Sequence, residues 1–172
     1  MLAGRLADPN CSLGTDPRSD PRMVAAFAPL GLADVLPDAP LTVDSPIEDR
    51  LAYCAAAEEA IGGVLDVFAL AAPAPAGVTT TTVTITGGDD NELTLFVSRP
   101  DRADGPLPAL VHLHGGGMAI GSAADAAYRH LRESLAATGL VVVGVEFRNS
   151  AGRLGVHPYP AGLDDCAAAV RW

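Results

Sequence analysis

Between Ala109 and Phe147 four kinds of text follow one another: an apolar run (Ala109–His114), three consecutive glycines (Gly115–Gly117), a helical stretch (Ser122–Thr138) and a second, nearly continuous apolar run (Leu140–Phe147). Two apolar runs of strand length joined through a helix form a βαβ unit, whose strands lie parallel and are covered on both faces. Gly139 suits the helix C-terminus, and Ser122 with Asp125 has the spacing of a capping box at its start. Ahead of this unit stands a hairpin. Val78–Thr86 is almost all Val, Ile and Thr, Gly87–Asn91 reads as a turn, and Glu92–Arg99 alternates Leu93, Leu95 and Val97 with polar residues. The fold class is therefore α/β, with a sheet that opens as an antiparallel hairpin and then winds in parallel.

The residues before the hairpin are of another kind. Residues 1–22, with the triplets Asp16-Pro17-Arg18 and Asp20-Pro21-Arg22, read as a loose arm. Residues 23–72 are a helical segment. Met23–Leu32 has room for one or two turns ended by Pro29 and Gly31, and Pro37, Pro40 and Pro46 punctuate a loop. A long helix then starts with Ser45 as cap, Pro46 at the first helical position and Glu48 three residues after the cap. Ile47, Leu51, Cys54, Ile61, Leu65 and Phe68 make one apolar face, Asp49, Glu58, Glu59 and Asp66 are expected outside, and Gly62-Gly63 is a place for a bend. This helix is either a plain layer over the core or a lid over a site. Residues 73–77 form a linker, residues 78–172 the α/β domain, and a last helix begins near Pro160.

Composition narrows the function. With 11 basic residues, all Arg, against 21 acidic ones, the net charge is −10, which repels phosphate backbones and anionic membrane surfaces. Aromatic content of 5% leaves few platforms for stacking bases. Nucleic acid is thus not an expected partner, and no run is long enough for a membrane span. Cys11, Cys54 and Cys166 are widely spaced and read as reduced thiols. With no export signal visible in Met1–Asn10, the expected location is cytoplasmic.

The chemistry concentrates at His114-Gly115-Gly116-Gly117. Three glycines directly after a buried strand let the backbone approach a ligand closely and turn successive N–H groups toward one point, where they stabilise developing negative charge. An HGGG loop after the third strand is half of the oxyanion hole in lipases and esterases. A tight strand-to-helix turn alone would justify one glycine, not three.

From about Val78 to Trp172 the chain resembles the N-terminal half of the α/β-hydrolases of the hormone-sensitive-lipase type, bacterial carboxylesterases in particular. The matching residues are His114-Gly115-Gly116-Gly117, Tyr128 and Arg129, Glu146-Phe147-Arg148, His157-Pro158-Tyr159-Pro160-Ala161, Asp165-Cys166 and Arg171-Trp172. Where the family commonly has Tyr-Arg-Leu-Ala-Pro-Glu, this chain has Phe147-Arg148-Asn149-Ser150-Ala151-Gly152, which resembles a brefeldin-esterase-like branch. The resemblance implies backbone donors to the oxyanion at Gly116 and Gly117, with Gly115 and His114 shaping the loop. It further implies hydrolysis of a small carboxylic ester through an acyl-enzyme without a cofactor, and a cap role for residues 23–72. Arg148 and Asp165 are either a brace between strand and last helix or an ordinary surface ion pair worth under about 1 kcal/mol.

That reaction needs Ser in a Gly-x-Ser-x-Gly elbow, then an acid, then His. The 172 residues contain no such pentapeptide; Ser122 and Ser134 do not fit it, and His130 and His157 precede the place of the family's base. The chain reads as the oxyanion half of an enzyme, expected to be inactive alone, with Ala109–His114 left as a bare apolar edge open to self-association. Three rivals stand beside it. A truncated, non-catalytic homologue is one. A dinucleotide-binding module is another, with Gly115, Gly117 and Gly121 in near-fingerprint spacing and Glu146 as ribose acid. The third is a metal site from His112 and His114, which share a strand face but lack a third ligand nearby.

Overall fold

In a computed structural model of the chain, residues 8, 10–35, 40–103 and 105–172 are described. Pro37 and residues 1–7 and 9 of the N-terminal arm lie outside them. The chain divides into two compact units, Met1–Ser45 and Pro46–Trp172.

In the first unit helix α1 (Pro21–Phe27) starts where Asp20 accepts the Arg22 N–H at 2.8 Å, with Pro21 pre-set for the first turn. A 3₁₀ turn, Ala28–Leu30, carries it to Gly31, whose left-handed φ of 71° ends the segment. The two Asp-Pro-Arg triplets are local devices: each aspartate pairs with the arginine two residues on. Ser45 does not cap the next helix. Its Oγ accepts from Thr42 N at 2.9 Å, within a turn of its own.

The second unit begins with α2 (Ile47–Ala71), one unbroken helix through Gly62 and Gly63. Pro46, extended at ψ 143°, occupies the cap position without a side-chain bond, so the expected capping box is not formed. The sheet follows: β1 (Val78–Thr86), β2 (Glu92–Pro100), β3 (Ala109–His112) and β4 (Val141–Glu146), interleaved with α3 (Ala126–Ala136) and closed by α4 (Ala161–Arg171). Strand order is β1-β2-β4-β3. β1 and β2 form the expected antiparallel hairpin, Val78 opposite Pro100 and Thr86 opposite Glu92. β2 pairs antiparallel with β4, and β4 parallel with β3, His112 opposite Gly144. The mixed sheet and the βαβ crossover are as the sequence predicts.

Alternation along β4 assigns the layers. Val143 and Val145 join Leu93, Leu95 and Phe147 in a core closed by Cys166 and Ala169 of α4. On the other face Gly144 lies against Arg132 of α3, where a Cβ would stand 2.6 Å from Arg132 Cδ. Arg132 is 1% exposed, its guanidinium 5.2 Å from the Phe96 ring centre and its Nη1 bonded to Ala123 O at 2.5 Å. α2 packs on α3 in turn. Among the described residues no helix is long and apolar enough to cross a membrane.

Two expectations fail here. β3 stops at His112, two residues short of the apolar run, although it is the bare edge expected of it: Leu110 and Val111 are 37% and 38% exposed, because β3 is the last strand of the sheet. The helix after the glycines starts at Ala126, four residues late. Ser122 N donates to Asp125 Oδ2 at 3.0 Å and Ala124 N to Ser122 Oγ at 3.0 Å, so the capping pattern closes a turn ahead of the helix.

Candidate active site

The glycine loop leaves the carboxyl end of β3, the end at which open α/β sheets bind ligands. Gly116, Gly117 and Gly121 have φ of 114°, 64° and 91°, and Met118 shares the left-handed region at 60°. At Gly116 no other residue fits, since a Cβ would stand 2.0 Å from Ile120 O. The turn closes on Gly116 itself, whose carbonyl accepts from Ala119 N at 3.0 Å and Ile120 N at 3.2 Å. The N–H groups of Gly116 and Gly117 donate to no described residue, and both glycines are exposed. Two adjacent free donors on a loop of fixed shape suit an anionic oxygen.

His114 lies beneath the loop, 5% exposed and stacked on Phe147 at 4.1 Å between ring centres and 4° between planes. Its Nδ1 is 2.7 Å from Gly115 O. A carbonyl only accepts, so Nδ1 donates to it. Tyr128 of α3 flanks both His114 and His112, at 5.6 Å and 5.8 Å between centres. Its hydroxyl would stand 2.9 Å from a Cβ at Gly115. Burial and the nearby Arg132 depress the His112 pKa. Among the described residues no three His, Cys, Asp or Glu side chains are grouped to hold a metal.

Residues 149–151 hold the far side of the loop. Ser150 N donates to Met118 O at 2.9 Å, Ala151 N to Ala119 O at 3.0 Å, and the fully buried Asn149 to Gly121 O at 2.7 Å. Glu146, the acid a dinucleotide reading needs for ribose, is occupied by Ser122 Oγ at 2.7 Å and Ala123 N at 3.3 Å. Arg148 and Asp165 form the brace and not the surface pair. Asp165 is 0% exposed and takes the Arg148 Nε, Nη2 and backbone N–H, each at 2.9 Å, plus Asn91 Nδ2 at 3.1 Å. Arg148 also reaches Asp89 at 2.8 Å, so the hairpin turn, the end of β4 and α4 meet at one guanidinium.

Of the other histidines, His130 sits on α3 beside Arg129 and Glu133, away from the loop. His157, with Gly117, Met118, Arg148 and Tyr159, lines an open cleft of about 400 Å³ on one side of the glycines. A smaller cleft of about 90 Å³ lies on the other side, between Gly115, Gly116, Ile120 and Tyr128 and the Glu58, Ile61 and Leu65 side of α2. Glu58 is a correction: expected outside, it is 9% exposed and directed into this cleft's wall. The signal was in its spacing. It stands seven residues from both Leu51 and Leu65, on the apolar stripe itself.

Residues 110–172 match a family described by the alpha/beta hydrolase fold. A solved structure of brefeldin A esterase, described as a bacterial homologue of human hormone sensitive lipase, is 42% identical with a TM-score of 0.89 over 99% of this chain and 48% of its own. Carboxylesterase NlhH of Mycobacterium tuberculosis is 39% identical over 66 residues, 38% of this chain and 19% of that protein. Tuliposide A-converting enzyme b1 of Tulipa gesneriana is 40% identical over 67 residues, 38% of this chain and 17% of that protein. The chain has the alpha/beta hydrolase fold and is similar to these esterases, and it spans about half the length of the brefeldin A esterase chain that it matches.

Proposed function

We propose that the gene product carrying this chain hydrolyses small carboxylic esters, and that these 172 residues supply its oxyanion-hole half. The observation that carries the reading is the pair of N–H groups at Gly116 and Gly117 that donate to no described residue, exposed at the carboxyl end of a parallel strand. When a nucleophile adds to an ester carbonyl, charge moves onto the carbonyl oxygen, and donors already aimed at that point need no reorganisation. One such donor is worth about 10²–10³ in kcat. Gly115 leaves room for Tyr128, and His114 fixes the Gly115 peptide from below. The nucleophilic serine, the acid and the base come from outside the 172 residues, which hold no Gly-x-Ser-x-Gly. The reaction passes through an acyl-enzyme and uses no cofactor.

The test is hydrolysis of p-nitrophenyl butyrate by the gene product, its block by a serine-directed phosphonate, and two substitutions. Gly116→Ala pushes a methyl group into Ile120 O and should lower kcat by about 100-fold or more. Gly117→Ala meets nothing within 4 Å and keeps its N–H. Its left-handed φ costs about 1–2 kcal/mol of loop stability, so the loss of kcat should be within about tenfold. Absence of ester turnover, or a Gly116→Ala enzyme as fast as the parent, refutes the reading.

A further inference from the structure

Glu58 is the one buried residue of α2 among those described, and its two oxygens serve backbone that lies 63 and 95 residues further on. Oε1 accepts the Gly121 N–H at 2.8 Å and Oε2 the Arg153 N–H at 2.8 Å. The backbone at Gly152 leaves room for the carboxylate. Gly152 has φ +74°, and a Cβ there would stand 2.6 Å from Glu58 Oε2. Charge is balanced by the Arg153 guanidinium, whose Nε is 4.0 Å from Oε1 and whose other end pairs with Asp125.

Gly121 is the point at which the glycine loop is fixed. Its carbonyl is held by Asn149 and its N–H by Glu58, so both polar groups of that residue are clamped from different elements. The preceding residue, Ile120, donates to Gly116 O, which ties the clamp back to the peptide bearing the proposed oxyanion donors. We infer that Glu58 is a positioning residue for the oxyanion loop: from the cap-side helix it sets the direction of the Gly116 and Gly117 N–H groups without touching substrate. The inference rests on the esterase reading for its kinetic consequence, though not for the clamp itself. A carboxylate is required because both partners are donors. A glutamine offers one acceptor and turns an NH₂ toward the other N–H.

The experiment uses the gene product with Glu58→Gln and Glu58→Ala, and Glu59→Gln on the exposed neighbour as control. Amide exchange should rise about tenfold at Gly121 and Arg153 in both Glu58 variants, with β1 and β2 amides unchanged. With an ester substrate kcat should fall about 10- to 100-fold while KM stays within about threefold, as for a displaced catalytic group. Glu58→Gln should retain more activity than Glu58→Ala, and Glu59→Gln should match the parent. Unchanged exchange at Gly121 overturns the clamp, and faster exchange with unchanged kcat overturns its role in positioning. If the parent enzyme turns over no ester, the esterase reading falls by itself, and the exchange data still decide the clamp.

Discussion

Asp165→Asn is the substitution whose cost the structure fixes best. Each carboxylate oxygen of Asp165 holds one charged and one neutral donor: Oδ2 takes Arg148 Nε and Arg148 N, Oδ1 takes Arg148 Nη2 and Asn91 Nδ2. Whichever way an asparagine is turned, its NH₂ confronts one such pair. The loss is one hydrogen bond to a charged group, about 1.5–3 kcal/mol, and one neutral bond, about 0.5–1.5 kcal/mol. The stranded guanidinium is 22% exposed at its side chain and keeps Asp89, which offsets part of the cost. The expected destabilisation at pH 7 is therefore about 3 kcal/mol, against under about 1 kcal/mol for an exposed ion pair. Urea titration of the gene product followed by far-UV circular dichroism would show it as a midpoint lowered by about 1–2 M. The effect has a pH signature. Burial pushes the Asp165 carboxyl up, and the Arg148 side chain, the Arg148 N–H and Asn91 together pull it below the ordinary aspartate value. A depressed folded pKa gives stability that is whole above about pH 4 and is lost as pH falls through the folded value. Parent and variant should converge in acid. A difference under about 1 kcal/mol at pH 7, or one that does not shrink in acid, would refute the brace.

Two further predictions concern this chain's surface and its thiols. The 172-residue chain on its own should scatter light as an assembly larger than a monomer, because β3 is an edge strand with Leu110 and Val111 37% and 38% exposed and Leu113, just beyond it, 46% exposed. Val111→Lys should reduce the assembly, and a monodisperse parent monomer that unfolds cooperatively would defeat the idea. In the folded chain at pH 8, Cys11 and Cys54 should react with a maleimide while Cys166 does not. Burial pushes the Cys166 thiol up to about 11 and leaves it 6% exposed. Three equally fast thiols by mass spectrometry would show that α4 does not stay docked.

The hairpin and the crossover were legible because their signals are local. Alternation in Glu92–Arg99 and the turn residues at Gly87–Asn91 specify β1 and β2 without reference to anything distant. The oxyanion loop was legible for the same reason, since three glycines state a backbone need directly. Misreadings occurred where a polar side chain chose among partners. Ser45 and Ser122 both had cap spacing, and both serve turns one step earlier, because a serine hydroxyl satisfies a turn N–H as readily as a helix N–H. Glu58 was read as solvated because an acid on a helix usually is, and the amides that justify its burial are Gly121 and Arg153, far along the chain. The role of Asn149 is equally silent in the sequence: nothing near it announces the Gly121 carbonyl that it holds. The edge position of β3 is legible only through the family resemblance, since a strand's apolar text is the same whether or not a neighbour covers it.

The strand order β1-β2-β4-β3 also bears on how such a sheet comes together. β1 and β2 need only a five-residue turn to meet, but β3 touches the sheet through β4 alone, and β4 is written last. β4 is thus the keystone, flanked on both sides. A growing chain that has released β3 but not yet β4 holds a finished hairpin and an apolar strand with nowhere to lie. The loop entropy of closing β2 onto β4 comes before any reward from β3. The interval in which residues 109–112 wait is then set by the time needed to make and fold α3 and to deliver β4, the strand against which they lie.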